Sequence, residues 1–280
     1  MILTFGSAGS PGQWALALAS AAACIGYLTA ALAPERLQRG LRAAVVLAWL
    51  LHAAAIGIDS SGLGTSSGAA RFGFAPALSA TLWLVIAVYL VETRFVPLPN
   101  VRRTLAVLGV IAVALAWLFP GEVRPQLASR WAPLHWVMGI ASYGLFGAAV
   151  LHAALMNRAD RRMRLQQGAS QGPGFASSAG MPLLRLERLT FRFVGAGFAV
   201  LTAALVLGWW NADPWRWDHK TVFSMLGWLV FAALLAGRRA FGWRGRRATR
   251  WVYAGVGLLL LAYVGSRFVI EVVLQRAAAA

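Results

Sequence analysis

The feature that most constrains this chain is a series of eight apolar runs, each close to the length of a membrane-spanning helix. A hydrocarbon layer about 30 Å thick takes about 20 helical residues to cross. The runs are Trp14–Leu32, Ala43–Ile58, Ala77–Val96, Thr104–Phe119, Pro133–Met156, Phe191–Trp210, Val222–Ala236 and Trp251–Ile270. We therefore predict an all-α fold, a polytopic membrane helix bundle with about eight transmembrane helices.

Composition agrees with a membrane location. The 280 residues are 59% hydrophobic and only 12% charged, and the mean hydropathy is +0.65. Such a chain has too little polar surface to cover a water-soluble globule of this size. We predict a single membrane domain over residues 1–280. Residues 157–190 are basic and rich in Gly, Ser and Gln, which predicts a cytoplasmic linker between the fifth and sixth spans.

The basic residues alternate between the two sides of the predicted bundle. Of the 26 Lys and Arg residues, nineteen lie in the connections that follow the odd-numbered spans. The positive-inside rule places that richer side in the cytoplasm, so both termini and the loop before the seventh span face outward. We expect a multi-pass protein of the inner (plasma) membrane. Because the positive-inside rule already accounts for the positive charge, the arginines do not indicate a nucleic-acid-binding surface, and we expect no nucleic-acid partner.

Three of the four histidines lie toward the outer side of the predicted bundle. His52 lies in the outer half of the second span, His135 opens the fifth span, and His219 ends the outer loop, whereas His152 lies deeper. On the face of the fifth helix that bears His135, Gly139 and Ser142 leave room for a flat object or another helix. Histidines from two helices would suit a bis-imidazole haem site. They would equally suit hydrogen bonds between packed helices.

The outer loop before the seventh span is rich in tryptophan. The stretch "GWWNADPWRWDHKT", residues 208–221, holds Trp215 and Trp217 beside Arg216, Asp218 and Lys220. Aromatic belts place tryptophan at membrane interfaces without any ligand. The alternative is a stacking surface for a planar macrocycle, with positive charge for its propionates.

Later in the chain, motifs follow one another in a recognisable order. The fifth-span segment "PLHWVMGIASYGLFGAAVL" is followed by a basic linker, a "WRWDHK" core and a "GWRGRR" loop. This order resembles the membrane family of cytochrome c assembly proteins, of the CcsA and CcmC type, over residues 134–268. In length the chain is closest to the short HemX-like or YpjD-like branch. The resemblance implies haem as cofactor, with Trp215, Trp217, Asp218 and Lys220 in the tryptophan motif and His135 at a ligand position.

The chain departs from that family at two places. Family members that attach haem usually carry further histidines in the seventh span and near the C-terminus, where this chain reads "LLAGRR" and "EVVLQR". We therefore expect one outer haem site rather than a relay of four histidines. Its metal ligands would be His135 and a second histidine, His52 or His219, with the propionates near Arg216 or Lys220.

The resemblance implies a role in cytochrome c-type biogenesis, in which haem is bound or presented at the outer face. The expected partners are other cytochrome c assembly proteins and apocytochrome c. The single cysteine, Cys24, rules out dithiol exchange within the chain, so we assign no catalytic residues and expect an assembly factor rather than an enzyme. Two alternatives remain, a membrane regulator of haem biosynthesis acting through its cytoplasmic loops and a transporter of haem or another small molecule.

Overall fold

The chain folds almost entirely into long helices. The computed structural model describes residues 10–34, 38–63, 65, 71–94, 101–123, 131–167, 176–211 and 217–274. Eight helices within these ranges are long and apolar enough to cross a membrane, which confirms the predicted polytopic bundle. The chain is a multi-pass membrane protein.

The structural boundaries extend most of the predicted spans by a few residues. The elements are α1 (Pro11–Leu32), α2 (Gln38–Ser60), β1 (Arg71–Phe72), α3 (Phe74–Glu92), α4 (Val101–Leu118), β2 (Glu122–Val123), α5 (Ala132–Gln167), α6 (Ala176–Trp210), α7 (His219–Phe241) and α8 (Gly245–Leu260). Beyond α8 the helix continues through two π-helical segments, Leu261–Gly265 and Val269–Val273, separated by the short α-helical stretch Ser266–Phe268.

The segment predicted as a linker contains much more helix than its composition indicates. α5 continues well past the predicted end of the fifth span to Gln167, and α6 begins at Ala176. The side chain of Arg164 reaches back one turn and donates to Asp160 at 3.1 Å, which supports the polar end of α5. Between the two helices, residues 168–175 lie outside the described ranges.

The chain divides into two compact units. The first comprises Met1–Ala128 and Arg267–Ala280, and the second comprises Ser129–Ser266. In the first unit α1 packs against α2 and α4, and α3 packs against α4. Small residues permit close packing: a Cβ at Gly109 would come within 2.9 Å of the Tyr27 ring, so only glycine lets α4 approach α1 here.

Two loops of the first unit meet in a two-residue antiparallel pair, which adds a small β element to the predicted all-α fold. Arg71 pairs with Val123 and Phe72 with Glu122. Gly121 has φ +79°, and a Cβ there would come within 2.7 Å of the Gly73 nitrogen. The loops therefore touch only because neither position carries a side chain.

The second unit is built on two helix pairs, α5 with α6 and α7 with α8. Its core contains the Phe146 and Phe231 rings, stacked with centroids 4.0 Å apart. Where the last helix changes from α to π, the Tyr143 hydroxyl donates to the Leu259 carbonyl. This bond joins α5 to the last helix at the point where the backbone hydrogen bonds of the last helix change from the α to the π pattern.

Candidate functional site

His135 is held at the start of α5 by a hydrogen bond to the neighbouring helix. Its Nδ1 lies 3.0 Å from the Ala204 carbonyl oxygen on α6. A carbonyl only accepts, so Nδ1 carries the proton and Nε2 is left with its lone pair. The ring is half-buried. This is the tautomer that an imidazole needs in order to ligate a metal through Nε2.

A glycine on α6 makes room for this ring. A Cβ at Gly208 would come within 3.0 Å of His135 Cε1. Ala204 and Gly208 lie one helical turn apart and so occupy the same face of α6. The small pair therefore forms the wall against which the imidazole rests. Sequence reasoning missed both residues, although small residues four apart are a known signal of close helix packing in membranes.

One turn below His135, α5 presents open space. A Cβ built at Gly139 would meet no atom within 4 Å. Further along the same face, the helix is packed against its neighbours. Ser142 is buried and donates to the Gly139 carbonyl at 2.7 Å, and Phe146 lies in the core. Of Gly139, Ser142 and Phe146 on this face, the open position is therefore Gly139, one turn from His135.

The tryptophan loop is described only at its ends. Trp215 and Arg216 lie outside the described residues. Trp217 is 69% exposed, and Trp209 and Trp210 at the end of α6 are also exposed. By contrast Trp228, on α7, donates to Thr202 at 2.8 Å and stacks on Phe198, so its role is packing.

Asp218 and His219 form the start of α7. Asp218 is its N-cap and accepts from the Thr221 backbone N–H at 2.7 Å. Partial burial alone would raise the pKa of Asp218, but the hydrogen bonds from Thr221 and the charge of Lys220 outweigh that effect and lower it. Asp218 is therefore ionised at neutral pH and orients the first turn of α7, in which His219 is exposed.

Lys220 links this turn to the surroundings of His135. Its ammonium lies 5.9 Å from the centroid of the Tyr263 ring, within the range of a cation–π contact. Its charge also acts on the His135 imidazole. The π-helical segment Leu261–Gly265 carries Tyr263, a residue that no sequence pattern singled out. Lys220 and Tyr263 are thus in contact within the second unit, which also contains His135.

His52 has a different environment in the first unit. It is 1% exposed, its Nδ1 lies 3.2 Å from the Tyr27 hydroxyl, and its Nε2 lies 2.7 Å from Ser79 Oγ. Both ring nitrogens are therefore engaged. Within the described ranges, no group of three His, Cys, Asp or Glu side chains is placed to hold a bare metal ion.

His152, which the sequence separated from the other histidines by its depth, is fully buried on α5. Its Nδ1 lies 2.7 Å from the Ala148 carbonyl oxygen of the preceding turn, and its ring lies beside Phe193. The bond to its own helix fixes the ring orientation in the core of the second unit.

Comparison with known proteins gives a consistent family. The model of the family "Cytochrome C assembly protein" matches residues 69–274. This match begins earlier in the chain than the resemblance in the sequence motifs, which covers residues 134–268. "Cytochrome c biogenesis protein CcsA" of Prochlorococcus marinus is 24% identical over 216 residues, 66% of this chain and 68% of that protein. The protein of the same name from Synechococcus sp. (strain CC9605) is 28% identical over 211 residues, 65% and 69% of the two chains. That of Gloeobacter violaceus is 26% identical over 245 residues, 68% and 72%.

Proposed function

Because the chain belongs to the cytochrome c assembly protein family, we propose that it acts in cytochrome c-type biogenesis by holding haem at the outer face of the inner membrane. The observation that carries the proposal is the hydrogen bond from His135 Nδ1 to the Ala204 carbonyl, which selects the tautomer whose lone pair is on Nε2. Both termini face outward in this proposal, as the positive-inside rule requires.

The residues around His135 fit a haem group. A bound haem would supply an iron for an imidazole nitrogen and vinyl groups for reaction with the thiols of an apocytochrome. His135 would supply Nε2, and Gly139, where a Cβ would meet no atom within 4 Å, would leave the neighbouring turn free for the ring. The backbone bond of His135 keeps the imidazole in one orientation, as second-shell partners do in metal sites.

The start of α7 supplies charge and aromatic surface. Lys220, placed by its contact with Tyr263, pairs with a propionate, and exposed Trp217 offers a ring face for stacking. Trp215 and Arg216 belong to the same proposed site on the strength of the motif. Asp218 acts on the site through α7, because it caps the turn that carries His219 and Lys220.

His219 and His52 are the two candidates for the second axial ligand. His219 is exposed and next to Lys220, whose charge acts on His135. His52 would have to give up a hydrogen bond to Ser79 or Tyr27 before it could ligate iron. The exposure of His219 and the two hydrogen bonds of the His52 ring favour His219.

Thioether formation in this proposal depends on partners. The chain holds one cysteine, Cys24, which lies within α1, so the thiols and their reduction come from apocytochrome c and from other assembly proteins. The proposed role of this chain is to bind haem, to hold it in one orientation and to release it to the partner.

The experiment is an absorption spectrum of the full-length protein purified in detergent, oxidised and reduced, after haem is supplied. We expect a Soret band with sharp reduced α and β bands that changes in His135→Ala. The spectrum of His219→Ala should change from that of a six-coordinate to a five-coordinate haem, whereas His52→Ala should keep the wild-type spectrum.

Three results contradict parts of the proposal. A wild-type protein that stays colourless after haem is supplied overturns haem binding altogether. An unchanged spectrum in His135→Ala overturns the assignment of His135. A change in His52→Ala with none in His219→Ala reverses the choice of second ligand, provided that thermal unfolding shows each variant to be folded.

A further inference from the structure

The turn between α7 and α8 carries a concentration of positive charge that the haem site does not use. Six arginines lie between residues 238 and 250, and no Asp or Glu occurs between Asp218 and Glu271. Within the part of the chain that the structure describes, Arg238 alone of these six forms an ion pair, with Glu187 at 3.4 Å. Most of the positive charge of this turn is therefore not balanced by the described acidic residues.

The turn is rigidly built. α7 is capped at its C-terminus by Gly242, which has φ +64° and donates its N–H to the Arg238 carbonyl at 3.1 Å. The indole of Trp243 folds back onto Gly237, where a Cβ would come within 2.6 Å of Trp243 Cε3. Its ring stacks on Trp251 with centroids 5.5 Å apart. The close approach at Gly237 fixes the position of the Trp243 ring.

The arginines have two roles at this turn. The guanidinium carbon of Arg238 lies 3.5 Å from the centroid of the Phe191 ring, so Arg238 joins α7 to α6. Arg247 lies over the Trp243 ring at 4.5 Å. Stacking on a fixed ring orders the Arg247 guanidinium and leaves its edge for an oxygen anion, the geometry in which arginine binds phosphate best.

An exposed aromatic side chain accompanies these charges. Phe241, the last residue of α7, is 77% exposed and lies between Arg239 and Arg244 in the chain. α7 ends and α8 begins at this turn, and both helices are long and apolar enough to span the membrane, so the turn lies at the membrane surface. A soluble anion would use the guanidinium groups and leave Phe241 in water. A lipid would place its phosphate on the arginines and its acyl chain beside Phe241.

We propose that the α7–α8 turn, residues 237–251, binds the phosphate headgroup of an anionic phospholipid. Arg246 and Arg247 contact the phosphate, Trp243 holds Arg247 in place, and Phe241 contacts the acyl chain. This surface lies on the side that the arginine distribution predicts to be cytoplasmic, and it is independent of the haem site.

The chain offers a matched control for this proposal. Arg102 and Arg103 occupy the second and third positions of α4, as Arg246 and Arg247 do in α8. Both pairs are adjacent arginines at the start of a membrane-spanning helix. Within the described ranges neither Arg102 nor Arg103 stacks on an aromatic ring. The control variant therefore loses the same charge but no arginine that is held by a ring, as Arg247 is held by Trp243.

The test is native mass spectrometry of the full-length protein in detergent with an equimolar mixture of phosphatidylglycerol and phosphatidylcholine. The wild type should retain one phosphatidylglycerol in preference, and Arg246→Gln with Arg247→Gln should lower that preference about thirtyfold, as expected for two arginines at a membrane surface. Arg102→Gln with Arg103→Gln should leave it unchanged. Phe241→Ala should lower retention without altering the charge.

Several outcomes would overturn the lipid site. Equal losses in the two arginine pairs would mean that general positive charge, rather than this turn, attracts the lipid. Displacement of phosphatidylglycerol by millimolar inorganic phosphate would indicate a site for a soluble anion. Retention unchanged in the Arg246 and Arg247 variant, with its thermal unfolding also unchanged, would exclude the turn as the binding site.

Discussion

Two histidines that look alike in the sequence, His52 and His135, occupy opposite chemical situations. His52 in the first unit is fully buried, and each of its ring nitrogens faces a hydroxyl group. His135 in the second unit is half-buried, and its Nδ1 is hydrogen-bonded to a backbone carbonyl. The contrast teaches that two histidines can differ in how many ring nitrogens the protein engages, and that the proposed ligand is the one whose Nε2 carries the lone pair.

The difference follows from what surrounds each ring. Three helices close around His52, because Tyr27 comes from α1 and Ser79 from α3. α2 and α3 are further joined by Trp49 and Trp83, which stack and donate their indole N–H groups to each other's backbone carbonyls at 3.0 and 3.1 Å. Around His135, by contrast, the open turn at Gly139 lies on the same helix. The first arrangement is suited to stability, and the second to binding.

The largest effect should come from deleting the His135 side chain. His135→Gly should weaken haem binding by more than the roughly 10- to 100-fold that loss of a second-shell partner costs. Because Gly208 and Ala204 leave the pocket wall intact, added imidazole should enter the vacated space and restore the Soret band. The measurement is a haem titration with and without imidazole.

His52→Gly provides the matched comparison for that titration. We expect no gain in haem binding when imidazole is added to this variant, because the His52 ring of the wild type serves helix packing. If imidazole rescues haem binding in His52→Gly and has no effect in His135→Gly, the assignments of the two histidines are exchanged.

The next effect concerns stability. His52→Leu fills the site with an apolar group but leaves the buried hydroxyls of Tyr27 and Ser79 without their hydrogen-bond partner. This loss should lower the free energy of unfolding by about 2–4 kcal/mol. Adding Tyr27→Phe and Ser79→Ala should recover part of that loss, because no polar group is then left unpaired. Unfolding in mixed micelles, followed by circular dichroism, measures both variants.

Ser142→Ala is the control for these stability changes. Ser142 is equally buried but donates only to the Gly139 carbonyl of its own helix, so its loss should change the unfolding free energy by less than about 1 kcal/mol. A larger effect from Ser142→Ala than from His52→Leu would contradict the structural role given to the His52 cluster.

The fold could be predicted from the sequence because the spans are set by local composition. Eight runs of apolar residues fix eight helices whatever the packing between them. The partners of the histidines could not be predicted, because they come from distant parts of the chain. Tyr27 and Ser79 lie 25 and 27 residues from His52, and Ala204 lies 69 residues from His135. Spacing placed His135 and Gly139 on one face but gave no sign of Tyr263, which depends on a π-helical segment.

A smaller effect should follow when the open space beside His135 is filled. Gly139→Leu places a side chain where a Cβ now meets nothing within 4 Å, so the variant should fold normally and bind haem about tenfold more weakly, as overpacking a binding site by a side chain predicts. Gly195→Leu is the control, since Gly195 on α6 is equally open. Equal haem affinities in the two variants would show that the space at Gly139 is not part of the site.

The smallest effect concerns the cap that orients Lys220 and His219. Asp218→Ala should lower the free energy of unfolding by about 1 kcal/mol, the usual cost of losing an N-cap. The pKa of Asp218 is lowered in the folded protein, so its contribution is complete above the pKa of the unfolded state and is lost as the pH falls through the folded pKa. The difference between wild type and Asp218→Ala should thus be constant near neutral pH and shrink below pH about 4. Asp218→Asn retains a capping oxygen and should preserve most of the stability at pH 7. A wild-type advantage over Asp218→Ala that grows as the pH falls would mean that Asp218 is stabilised by burial of its neutral form rather than by capping α7.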